Sequence, residues 1–151
     1  MKIKTIVSSF LALLVLGLTT SIAEAHSNEK KIAGPNGGRV LTKVEPHAEF
    51  FVTAERKVQI TFLGEDGKAI APAAQVVAVT AGDRAAPTKL SFAKSGDVLI
   101  SDVALPAGNN FPAVVQIKAT PDAKAVAEKF NVNLSQCGEC DKAEYACTCA
   151  H

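Results

Sequence analysis

Residues 57–63 read Lys-Val-Gln-Ile-Thr-Phe-Leu. Val58, Ile60 and Phe62 alternate with Lys57, Gln59 and Thr61, the period of two that sends successive side chains to opposite faces of a strand. Glu65-Asp66-Gly67-Lys68 follows at once, and an Asp-Gly pair after such a run signals a hairpin. Upstream, residues 47–53 set Ala48, Phe50 and Val52 against His47, Glu49 and Phe51. Downstream, residues 128–134 set Phe130, Val132 and Leu134 against Lys129, Asn131 and Asn133. Further strands are expected at 39–44, 75–81, 88–93, 98–103 and 113–119.

Turn residues punctuate these runs: Pro72, Gly82-Asp83, Pro87, Ser95-Gly96-Asp97, the stretch 106–110 and Pro121-Asp122. Short strands separated by such signals, with no long 3.6-residue period, predict an all-β fold. The specific expectation is an antiparallel β-sandwich of Ig-like, Greek-key type with a short Cys-rich tail. Residues 123–129 fit a turn of helix as well as a strand, and propensity does not choose between them.

The chain has 151 residues, and the first 25 read as an export signal. Lys2 and Lys4 precede an apolar run of thirteen residues, Ile6 to Leu18, within the span of about 7–15 typical of a signal peptide. Ala23-Glu24-Ala25 supplies a small-x-small cleavage site, and Ser21-Ile22-Ala23 offers a second. The expected organisation is a signal peptide at 1–25, a flexible arm at 26–38, the β domain at 39–134 and a Cys/His-rich tail at 135–151. Cleavage predicts a periplasmic or secreted protein with no membrane attachment afterwards. Loss of Lys2, Lys4 and Glu24 takes the chain's 16 basic and 15 acidic residues to 14 of each. That balance, with no basic run and no Trp, argues against nucleic acid as a partner.

All four cysteines lie in the tail, at Cys137, Cys140, Cys147 and Cys149, and His151 closes the chain. Cys-x2-Cys, six residues, Cys-x-Cys and x-His place five soft or borderline ligands within fifteen residues. Thiolate and imidazole are the donors preferred by Zn²⁺ and by copper. Gly138 is expected to help the first hook close tightly, and exposure of the tail is expected to favour ligand exchange with a partner. An oxidising compartment favours disulfides instead. A nested pair, Cys137–Cys149 with Cys140–Cys147, would staple a terminal hairpin. A redox-active dithiol is the third alternative, but no helix or neighbouring cation is legible that would lower a thiol pKa.

Weaker metal candidates are His26, which cleavage would leave at or near the new N-terminus beside its α-amine, and the pair His47 and Glu49, two apart on one strand face. The bland reading of that pair is a half-exposed polar face. No nucleophile elbow, His-Glu-x-x-His helix or phosphate loop is present, so an enzyme is not expected.

Gly34-Pro-Asn-Gly-Gly-Arg-Val40 and Pro46-His-Ala-Glu-Phe-Phe-Val52 resemble an N-terminal portion of the periplasmic adaptor proteins of heavy-metal efflux pumps. In that family a Gly-Gly-x-Val segment leads into a His-x-Glu strand, and the match falls on Gly37, Gly38, Val40, His47 and Glu49. The chain departs from the family in lacking room for its helical hairpin and further β domains. It also lacks, after cleavage, the methionines of the copper- and silver-binding members. The resemblance implies a stand-alone accessory protein that binds a transition metal and meets an efflux component.

The sequence therefore supports an exported metal carrier or buffer using the tail cluster. Its alternative is a non-enzymatic structural module whose tail is locked by two disulfides.

Overall fold

The computed structural model describes residues 32–149. The expected signal peptide, residues 26–31 of the expected arm (His26 among them) and His151 lie outside the described residues. Nine strands follow in order: β1 (Arg39–Leu41), β2 (His47–Val52), β3 (Val58–Leu63), β4 (Ala69–Ile70), β5 (Val76–Ala81), β6 (Thr88–Ser95), β7 (Val98–Ser101), β8 (Asn110–Lys118) and β9 (Val126–Asn133). A single 3-10 turn, Glu144–Ala146, follows them.

Every ladder is antiparallel. The strands run in one hydrogen-bonded path, β1-β2-β3-β7-β6-β5-β8-β9, with β4 paired to β3. β6 makes the path continuous. Its first half pairs with β5, through Thr88 to Ser91, and its second half with β7, through Phe92 to Ser95. The all-β antiparallel class is as expected, but the two separate sheets of an Ig-like, Greek-key sandwich are not formed. One sheet curls until its ends approach each other and is nearly closed into a barrel. Residues 126–133 are strand, not helix, because their alternation lays Phe130 and Val132 against the same interior as β8.

The interior follows from the alternation. Val58, Ile60 and Phe62 of β3 are fully buried, as are Ala48 and Phe50 of β2, and they meet Phe111, Ala113, Val115 and Ile117 of β8. Each large side chain of this kind contributes about 1.5–3 kcal/mol by leaving water. β3 is also buried on its other face, where Thr61 is 2% exposed. The cover is the turn at residues 33–38, which begins with an Ala33–Arg39 bridge.

Glu49 anchors that turn. It is 0% exposed, and its carboxylate accepts from Asn36 N (2.9 Å), Gly38 N (2.7 Å) and Asn36 Nδ2 (2.6 Å). The last part of the expected flexible arm is thus a hydrogen-bonded lid on β2 and β3. Gly38 is required by contact: a Cβ there would stand 2.4 Å from the carbonyl oxygen of Phe50. Gly38→Ala is expected to cost about 1–3 kcal/mol, the range for forcing atoms into a filled space. Urea denaturation measures it, and an unchanged midpoint would refute the contact argument.

β1 and β9 stand at the two ends of the path, and side chains bridge the seam between them. Lys43 N donates to Glu128 Oε1 at 2.9 Å. The Arg39 guanidinium lies 4.8 Å over the Phe130 ring, and Phe50 meets Phe130 edge to face at 5.2 Å. The remainder of the seam is filled by the tail.

Candidate metal centre

After β9 the chain turns back on itself. Ser135 N donates to Asn133 Oδ1 (3.1 Å), and Glu144 N to Ser135 O (2.9 Å). Gln136 bridges Ala143, and Cys137 N donates to Lys142 O at 2.9 Å. This small hairpin closes the Cys-x2-Cys loop. Gly138 plays no steric part in it, since a Cβ there would meet nothing within 4 Å and its φ is not left-handed. The cross-hairpin bonds supply the tightness instead.

The 3-10 turn then drives Tyr145 and Ala146 into the barrel. Both belong to the main core. Tyr145 meets Phe50 edge to face at 5.9 Å, and its hydroxyl accepts the Val52 N–H at 3.0 Å. Burial, aided by the neighbouring Glu49 charge, holds the phenol above its ordinary pKa despite that hydrogen bond. The tail is thus a plug in the seam of the barrel, in contrast to the exposed appendage expected from the sequence. Tyr145→Phe is expected to cost about 1 kcal/mol for the lost acceptor, and Tyr145→Ala about 3–5 kcal/mol for the lost ring. Thermal denaturation of the two variants separates these effects; equal losses would contradict the plug.

With the plug seated, the two cysteine hooks face each other. The sulfurs of Cys137, Cys140, Cys147 and Cys149 all lie within 4.8 Å of one another. Cys147 Sγ is the hub, 3.1 Å from Cys137 Sγ and 3.7 Å from Cys140 Sγ. A tetrahedral thiolate site with Zn–S bonds of about 2.3 Å has sulfur–sulfur edges of roughly 3.8 Å. The cluster is therefore already near the size of a one-ion site, and small side-chain rotations bring it there. No disulfide joins the four. The 3.1 Å between Cys137 and Cys147 is well beyond the S–S bond of about 2.05 Å, and the Cys147 sulfur, close to both Cys137 and Cys140, can bond to only one of them.

Each hook also directs a backbone N–H at its own first sulfur. Glu139 N donates to Cys137 Sγ (3.5 Å), and Cys149 N to Cys147 Sγ (3.3 Å). Donors aimed at sulfur favour the thiolate, the form that binds metals. The contact between Cys137 and Cys147 pushes the two thiols in opposite directions. The hydrogen bond with Cys137, together with burial, pushes the Cys147 thiol up to about 12. That bond and the Glu139 N–H bring Cys137 down to about 7.

The other candidates are placed elsewhere. His47 Nδ1 lies 2.9 Å from Val44 O and 3.2 Å from Glu45 Oε1. Glu49 is fully buried under the turn that it anchors, not part of a half-exposed face. Neither belongs to the four-sulfur group. Sequence reasoning missed Tyr145, the residue that seats the cluster, because its partners Phe50 and Val52 lie far upstream. The i to i+2 geometry of the N–H···S bonds was the available signal for thiolate character.

No protein-family model, no curated protein and no solved structure matches this chain.

Proposed function

We propose that this chain is an exported, non-enzymatic protein that holds one transition-metal ion, zinc or copper(I), in a four-thiolate centre made by Cys137, Cys140, Cys147 and Cys149, with His151 as a further ligand candidate. The observation that carries the proposal is the convergence of all four sulfurs within 4.8 Å. Its role is carriage or buffering of the ion, in the periplasm or outside the cell, accessory to heavy-metal efflux. The signal-like first 25 residues support export, and the resemblance of Gly37, Gly38, Val40, His47 and Glu49 to efflux adaptors supports the setting.

A second reading is favoured by the burial of Tyr145 and Ala146. In it the tail is a structural cap, locked by two disulfides, and carries no ion.

Elemental analysis with thiol titration of protein taken from its own compartment decides between them. One ion per chain with four titratable thiols after metal removal supports the metal centre, whereas two disulfides and no ion overturn it. The pH dependence has a defined sign. Protons compete with the metal for every thiolate, and Cys137 releases its proton at about 7 while Cys147 holds its own to about 12. Zinc affinity is therefore expected to fall steadily as pH drops from 8 to about 5.5. A competition titration that shows no change over this interval would exclude thiolate ligation.

A further inference from the structure

The four sulfurs are unequally placed. Cys137 and Cys147 are buried, at 4% and 0% exposure, whereas Cys140 and Cys149 are half-buried. The buried pair is also the pair tied to the barrel. Cys137 is held by the hairpin bond to Lys142 O, and Cys147 follows directly on the core residues Tyr145 and Ala146. The half-buried pair opens on a flank of exposed residues, Gly138, Glu139, Asp141 and Thr148. Space beside Gly138 is clear, since even a Cβ would touch nothing within 4 Å. The flank is anionic, with Glu139 and Asp141 exposed beside the half-buried pair, and four thiolates around a mono- or divalent ion add further negative charge.

Taken with the metal reading, on which it rests, the geometry points to an exchange face. The ion passes to and from a protein partner that carries thiols on a basic surface, through Cys140 and Cys149, while Cys137 and Cys147 remain bound until last. A thiol is the donor that can compete for an ion already held by sulfur. A basic surface is what the anionic rim attracts and orients. The step is a ligand exchange without change of oxidation state. A partner sulfur forms a bond to the ion as the bond to Cys140 breaks, and the proton lost by the partner thiol goes to the Cys140 sulfur. The same exchange at Cys149 leaves the ion shared between two partner sulfurs and the buried pair, from which it can move on.

The test uses the full-length reduced protein loaded with zinc alone. Elemental analysis comes first: failure to retain one zinc per chain is a failure of the metal reading itself. On the loaded protein, limiting iodoacetamide with peptide mass mapping is expected to modify Cys140 and Cys149 about tenfold faster than Cys137 and Cys147. Zinc release should accompany the first modification. Uniform labelling, or the buried pair reacting first, overturns the exchange face. The partner's chemistry is tested with two-cysteine peptides flanked by lysines or by glutamates. Zinc transfer is expected to be about tenfold faster to the lysine peptide at low salt, with the difference collapsing as ionic strength rises. Equal rates at low salt overturn the basic partner.

Discussion

Saturating zinc is expected to raise the melting temperature of the reduced protein by roughly 15 °C, and Cys147→Ser to abolish both the binding and the rise. A ligand held only by the native state, at a thousand times its dissociation constant, stabilises by about 4 kcal/mol. In a domain of this size each kcal/mol moves the midpoint by about 3–5 °C. The effect is large because the ligands flank the plug. The 3-10 turn Glu144–Ala146 lies between Cys140 and Cys147, so an ion joining the hooks fixes Tyr145 against Phe50 and the seam with it. Cys147 is the decisive position: its sulfur is fully buried, 3.1 Å from that of Cys137 and 3.7 Å from that of Cys140, and it is contiguous with the core. Differential scanning calorimetry with zinc, with chelator and with the variant measures all three states. Under the disulfide-cap reading the rise would follow oxidation and ignore zinc, and that result would overturn the metal centre.

Glu49→Ala is expected to lose about 4 kcal/mol, a large share of the 5–15 kcal/mol typical of a folded domain. The substitution leaves the buried Gly38 N without its acceptor and removes the charge-assisted bonds from Asn36 N and Asn36 Nδ2, each worth about 1.5–3 kcal/mol at most. A buried donor stripped of its partner costs about 1–3 kcal/mol. Glu49→Gln, which keeps one acceptor oxygen, should fall between the two. Chemical denaturation reads the loss as a lowered midpoint at constant slope. If Glu49 served as a metal ligand instead, Glu49→Ala would impair metal binding and leave the unliganded protein's midpoint unchanged.

The strands were legible because their cause is local. Residues 57–63 and 128–134 alternate cleanly, and alternation is all that a half-buried strand requires. β4 has only two residues, too few for any periodic signal. The start of β8 at Asn110 was hidden by Pro112, a residue that reads as a breaker. Pro112 is tolerated because it lies one residue past the last β5 pair, Ala81 with Ala113. Sheet closure was not legible, because it depends on β6 dividing its hydrogen bonds between β5 and β7, a pairing between segments remote in sequence. The candidate site was half legible. Cysteine spacing is local and indicated a compact thiolate cluster, whereas its depth is set by Tyr145 meeting residues of β2. His47 and Glu49 were rightly placed two apart on one strand, but alternation cannot tell that the face is roofed by Asn36 and Gly38.

The contact between Tyr145 and Val52, 93 positions apart, has a consequence for the order of assembly. Contacts of such long span form late, because loop closure must come first. Under the proposed export, a chain threaded from its N-terminus delivers the Cys-x2-Cys and Cys-x-Cys hooks after every described strand has emerged. The sulfurs therefore arrive beside a nearly finished barrel and are brought together as Tyr145 docks, which shortens the interval in which they meet oxidants unprotected.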